Sequence, residues 1–94
     1  MNWLKREMIK AWHDDAWDDY VHWQTANKKM LKRIHALLKD IERDVFEGTG
    51  KPEPLKHELS GWWSRRIDDN NRIVYRVVEN RLEIMQCGSH YRDK

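Results

Sequence analysis

Apolar residues recur along this chain in two rhythms, and the change falls near Phe46. Before it, Met30, Ile34, Leu37, Leu38, Ile41 and Val45 return at intervals of three and four, which predicts a helix with one buried face. The opposite face of that stretch carries Lys28, Lys29, Lys32, Arg33, His35 and Lys39, and Asn27 stands where an N-cap belongs. Upstream, Asp14 and Asp15 open another helix, and Asp18 and Asp19 also lie near its positive end. Its expected inner stripe is Trp17, Tyr20, Val21 and Gln24. Two helices joined by so short a link predict an antiparallel hairpin. A short strand, Ile9–Trp12, precedes them.

Past Phe46 the segment Glu47 to Pro54 holds two glycines and two prolines and reads as a loop. From Trp62 the period is two, so Trp62–Asp68, Arg72–Val78 and Leu82–Cys87 are expected as three antiparallel strands joined by tight turns. The fold class that follows is α+β: a two-helix hairpin packed on one face of an antiparallel sheet, the other face left to water or a ligand. Alternation directs Trp63, Ile67, Ile73, Tyr75 and Val77 to the helices, and Ser64, Arg66, Arg72, Val74 and Arg76 to the second face. It sets Arg65 at the wetter edge of the core. Arg66 and Arg72 share a face only if the connection between them is odd in length. A three-residue loop, Asp69-Asn70-Asn71 with Asn71 left-handed, meets that condition.

Ninety-four residues make one domain, 1–94, without internal repeats. Charged residues are 36% of the chain, so a modest core must draw much of its area from six tryptophans and three tyrosines. No apolar run approaches a membrane span, and the first residues do not read as a secretory signal. The single Cys87 can make no internal disulfide, which fits a reducing cytoplasm. A net charge of +2 does not by itself announce nucleic-acid binding, so only local clusters of cations matter.

One local feature stands out. Both prolines bracket a single glutamate, Pro52-Glu53-Pro54, just ahead of Lys56, Trp62-Trp63 and Arg65-Arg66. Proline at 54 biases Glu53 toward extended backbone and proline at 52 fixes its own φ, so holding that carboxylate in one place costs little freedom. Cleaving RNA without a metal needs a base for the 2′-hydroxyl, an acid for the leaving oxygen, cations for the phosphate and a flat group for a nucleobase. The chain offers Glu53, His90, the cations Arg66, Arg72 and Lys56, and Tyr91 for these roles, though a solvated loop and edge accounts for the same composition. Other chemistries have less support. Five scattered histidines lack zinc-site spacing, Ser60 and Ser64 lack a nucleophile elbow, and Gly48-Thr49-Gly50-Lys51 reads as a turn rather than a phosphate loop. The Lys28–Arg33 cluster taken alone is a solvated helix face, and the run Asp14–Asp19 suits the helix dipole.

The segments "AWDDYVHWQ", "KPEPLKHELSGWWSRRID", "NRIVYRV" and the near-terminal "HY" resemble the YoeB/Txe branch of the RelE/ParE toxin superfamily, in order from Met8 to Tyr91. Residues 1–7 precede the usual start of that branch, which makes Met8 a second candidate initiator, and Arg92-Asp93-Lys94 extend past its usual end. The resemblance implies a fold like that of microbial ribonucleases and a translation-blocking toxin that cuts messenger RNA in the ribosomal A site. It implies no metal or other cofactor, and a YefM-type antitoxin as partner. The sequence leaves a homodimer open. By position, Glu53 is similar to the family's general base, Arg72 to its phosphate-stabilising arginine, and Arg66 and Lys56 to its supporting cations. His90 and Tyr91 resemble the terminal acid and its aromatic neighbour. Lys28, Lys29, Lys32 and Arg33 would then meet ribosomal RNA. The rival from a different class is a ParE-like toxin that binds DNA gyrase without chemistry, and a basic RNA-binding subunit is a third.

Overall fold

A computed structural model of the chain describes residues 8–89. Its elements run β1 (Ile9–Trp12), α1 (Asp14–Ala26), α2 (Lys28–Arg43), β2 (Glu53–Pro54), a 3-10 turn (His57–Leu59), β3 (Trp63–Arg66), β4 (Arg72–Val78) and β5 (Arg81–Gly88). The strands form one five-stranded sheet in the order β1-β5-β4-β3-β2. The pairs from β2 to β5 are antiparallel, and β1 adds at the far edge parallel to β5.

The helix hairpin forms for local reasons. Asn27 sits in extended backbone between the helices, and its Oδ1 accepts from the backbone N–H groups of Lys29 and Met30, at 3.1 and 3.2 Å. On α2 the expected face is buried: Met30, Ile34, Leu37, Leu38 and Ile41 meet Ile73, Tyr75, Leu82, Ile84 and Cys87 of the sheet. Each large aliphatic side chain so buried contributes about 1.5–3 kcal/mol. Val45 lies beyond the helix, which ends at Arg43, but still packs on this core.

The stripe expected on α1 is rotated. Ala16 is its buried residue, with Tyr20 and Trp23 partly buried against the core, while Trp17, Val21 and Gln24 face outward. Polar contacts set this rotation. Trp23 donates from Nε1 to the carbonyl of Cys87 at 2.9 Å, and Asp19 accepts from the Cys87 backbone N–H at 3.3 Å. Hydrophobicity alone cannot anticipate a helix that docks through an indole N–H and a carboxylate. The Cys87 thiol is enclosed with them, and burial, with Asp19 adding to it, pushes its pKa up to about 12.

Arg65 is not at a wet edge. It is fully buried, donating from Nε to the Tyr75 hydroxyl at 3.0 Å and from Nη1 to Asp40 at 2.7 Å. Nη1 also reaches the Thr49 carbonyl at 3.2 Å, and Nη2 the carbonyls of Asp44 at 2.6 Å and Glu47 at 3.1 Å. One guanidinium thus gathers the chain after α2 and ties it to the sheet. Two glycines permit so close an approach. A Cβ on Gly48 would lie 2.1 Å from the Asp40 carboxylate, and one on Gly50 would lie 2.9 Å from the Arg66 carbonyl; both have positive φ.

Candidate active site on the second face of the sheet

Glu53 and Pro54 do not belong to a loop, as their composition suggested. They form β2, an edge strand in which Glu53 pairs with Ser64 and Pro54 with Trp63. The flanking prolines favour extended backbone, and an edge position tolerates a residue without an N–H. Two residues are too few to show a period in the sequence. The strand fixes which way Glu53 points, because it shares a face with Ser64 and hence with Val74, Ser64's partner on β4.

Arg66 and Arg72 stand opposite each other in register, on the face that alternation assigned them. The connection has the required odd length but a different construction from the one expected. Asn71 is not left-handed; instead Asp68 Oδ1 accepts from the backbone N–H of Asn70 at 2.9 Å and of Asn71 at 2.8 Å, and from the Asn71 side chain at 2.9 Å. Burial alone would push the Asp68 carboxyl up, and these hydrogen bonds outweigh it and hold it below its ordinary value. An aspartate-built turn therefore sets the pairing of the two arginines.

Arg72 donates from Nη1 to the Ser64 hydroxyl at 2.9 Å, and the same nitrogen lies 3.7 Å from Glu53 Oε2. That second separation is an ion pair rather than a hydrogen bond. The Glu53 side chain is 57% exposed and that of Arg72 29%, so both remain reachable from solvent. Arg66 donates from Nη2 to Asp69 at 2.8 Å, a surface pair of little strength. The middle of the face is packed rather than open: Ser64, Val74 and Gln86 are buried, with Arg72 reaching across to Ser64 and Arg76 lying over Trp62. Ser64 had been weighed only as a nucleophile. Its place opposite Glu53, beside Arg72, makes it instead a support for the guanidinium. Trp63, on the helix side, packs on Phe46, so neither tryptophan of the pair offers a free stacking face here.

Of the residues expected in the site, the fold brings Glu53, Arg66 and Arg72 together. Lys56 is exposed just beyond β2 and makes no side-chain hydrogen bond or ion pair among the described residues. His90 and Tyr91 lie outside the described residues. The last strand residue, Gly88, stands opposite Arg72 in register. Lys28, Lys29, Lys32 and Arg33 are all exposed on α2. A shallow depression of about 420 Å3, walled by Arg33, Leu37, Gly50, Arg66 and Ile67, runs from that helix toward the site.

Comparison with known proteins gives the family. The profile of the YoeB-like toxin of bacterial type II toxin-antitoxin systems matches residues 12–91. The toxin YoeB of Escherichia coli K12 is 52% identical over 84 residues, covering 89% of this chain and all of that one. A solved YoeB–YefM complex from Staphylococcus aureus contains a chain 44% identical, with a TM-score of 0.85 over 90% of this chain and 99% of that one. A YoeB dimer from the same organism superposes equally well, at 43% identity, a TM-score of 0.85 and the same coverages. The chain belongs to the YoeB-like toxins of bacterial type II toxin–antitoxin systems.

Proposed function

We propose that this toxin is a ribosome-dependent endoribonuclease that cuts messenger RNA in the A site and so stops translation. The observation that carries the reading is the Glu53–Arg72 pair, a carboxylate and a guanidinium 3.7 Å apart on an accessible sheet face with Arg66 opposite. Glu53 takes the proton from a 2′-hydroxyl, and that oxygen attacks the adjacent phosphorus. The bond to the 5′-oxygen breaks, leaving a 2′,3′-cyclic phosphate and a 5′-hydroxyl. Arg72, steadied by Ser64, offsets the charge that builds on the phosphate, with Arg66 and Lys56 as further cations.

His90 donates the proton to the leaving oxygen and Tyr91 stacks on a base. Pairing of Gly88 with Arg72 supports the role of His90, which follows two residues later, because two residues span at most about 7 Å. No metal or cofactor enters this scheme. Lys28, Lys29, Lys32 and Arg33 dock on ribosomal RNA phosphates, and the ribosome supplies the in-line order that a domain this small does not impose on a flexible message. A gyrase-binding role has no use for a base beside a phosphate-binding arginine.

The partner that silences it is a YefM-type antitoxin, as in the Staphylococcus aureus complex, with an acidic segment that folds over the cationic face. A homodimer like the one solved for that relative is the second assembly, and the outward Trp17 and Val21 of α1 leave apolar surface for contacts between chains. No helix among the described residues is long and apolar enough to cross a membrane. Inducing the chain in cells and mapping new message 5′ ends against the reading frame tests the proposal. Ends phased to the codon support it. Equal cutting of the same message stripped of ribosomes counts against it.

A further inference from the structure

A second cluster occupies the same sheet face, two same-side positions farther along β4 from Arg72, past Val74. Arg76 lies over Trp62, its guanidinium carbon 4.4 Å from the ring centre, and donates from Nε to Glu83 Oε1 at 2.9 Å. Arg81 donates from its own Nε to the other oxygen, Oε2, at 3.1 Å. His13 meets the Trp62 ring edge-on at 5.5 Å and comes within 4.0 Å of Glu83 Oε1. Glu83 is 11% exposed, whereas Arg76 and Arg81 are 41% and 50% exposed. The two hydrogen bonds, Arg76 first, hold the Glu83 carboxyl below its ordinary value against the effect of burial.

This arrangement is built to present cations. Each arginine is tied through Nε, and the terminal nitrogens of both have no other hydrogen bond or ion pair among the described residues. The two Nε atoms are at most about 8 Å apart, since each sits one hydrogen bond from the same carboxylate. Two guanidiniums against one carboxylate leave an excess positive charge for an anion. Planar guanidinium forks match phosphate better than a point charge does. Trp62 is itself buried beneath Arg76, so the cluster offers a phosphate contact and not a base-stacking shelf. Arg72 and Arg76 are four residues apart on β4, about 13 Å along the strand, too far to share one phosphate.

We propose that Arg76 and Arg81, braced by Glu83 over Trp62, form a second phosphate clamp that grips a backbone phosphate of the message flanking the one that is cut. The proposal rests on the ribonuclease reading above. An acidic antitoxin segment is the competing occupant, and RNA is favoured because the clamp continues the face on which Glu53 and Arg72 lie.

The test uses ribosomes programmed with a message that carries a 2′-deoxy nucleotide at the cut, so that binding is read without cleavage. Single linkages of that message are neutralised in turn as methylphosphonates, and affinity is measured for the parental toxin and the R76A/R81A variant. One linkage beside the scissile phosphate should cost the parental chain roughly tenfold in affinity. The same neutralisation should cost the variant nothing more, while neutralising the scissile phosphate still should. Arg81→Ala alone, at a half-exposed side chain, replaces the double variant should the latter melt early. Unchanged sensitivity at every linkage overturns the clamp. So does an equal loss with every message, which would assign the arginines to ribosomal RNA, or a loss confined to antitoxin binding. A parental toxin that binds these ribosomes and cuts the all-ribose message, beside a variant with the same linkage sensitivity, refutes this inference alone; a parental toxin that never binds them refutes the ribonuclease reading and the clamp together.

Discussion

Asp40 accepts hydrogen bonds from the Thr49 backbone N–H, from Arg43 and from Arg65, and these hold its carboxyl well below the usual carboxylate range. A folded pKa depressed in this way stabilises the protein above the unfolded value of about 4, and the benefit is lost as pH falls toward the folded value. The melting temperature should therefore drop on acidification below about pH 4, and Asp40→Asn should flatten that limb while lowering stability at neutral pH. Thermal melts of both chains from pH 7 to pH 2 check it; parallel acid limbs would show that Asp40 carries none of the dependence. Arg65 is the other end of the bridge, fully buried among the carbonyls of residues 44–49. Arg65→Met removes the donor from every one of them and should cost about 3–5 kcal/mol by urea unfolding. A loss near zero would mean that the loop is held by something else. Alternation alone put Arg65 on the helix side of β3, but the convergence of carbonyls that makes burial tolerable depends on a loop sixteen or more residues away in the chain. Glu53 was legible for the opposite reason, since its restraint is written in its immediate neighbours.

Helix α2 shows a sequence stating its own position, since every residue of its apolar row from Met30 to Ile41 is buried. Its solvated cations are where ribosomal RNA is proposed to bind. The charge reversals K29E/K32E should weaken ribosome association most visibly at moderate salt, with the melting temperature and antitoxin binding nearly unchanged. Equal association across a salt titration would remove the docking role from this face. Helix α1 was the misreading: Trp17 was expected on the inner stripe and Trp23 was left off it, yet Trp17 faces out and Trp23 anchors to β5 through a hydrogen bond. The anchor also makes Gly88 tight, because a Cβ there would stand 3.0 Å from the Asp19 carboxylate. Gly88→Ala should cost about 1–3 kcal/mol in a chemical melt, as the helix and strand end are pushed apart. An unchanged midpoint would show that the contact yields freely. Strand β2 escaped notice because a two-residue strand has no period, and only its pairing partner on β3 reveals it.

At the scale of the whole molecule, the switch from helical to strand rhythm near Phe46 and the odd parity of the β3–β4 connection carried most of the fold. They placed the hairpin on one face and Arg66 and Arg72 together on the other. The parallel pairing of β1 with β5 was not legible, since partner choice depends on the assembled edge rather than on four residues. The roles proposed for Glu53 and Arg72 rest on family resemblance as well as on chemistry; the fold brings the two side chains within 3.7 Å and sets Ser64 beside Arg72. The central claim is that this face cuts RNA with Glu53 as base, and Glu53→Gln tests it most directly. Glutamine keeps the size and the proline-fixed backbone while removing the proton acceptor. On ribosomes carrying a defined codon in the A site, the parental toxin should release a fragment with a 5′-hydroxyl end. The variant should do so roughly 10² to 10⁴ times more slowly, with its melting temperature and ribosome affinity preserved. Cleavage by the glutamine variant at close to the parental rate would contradict the assignment.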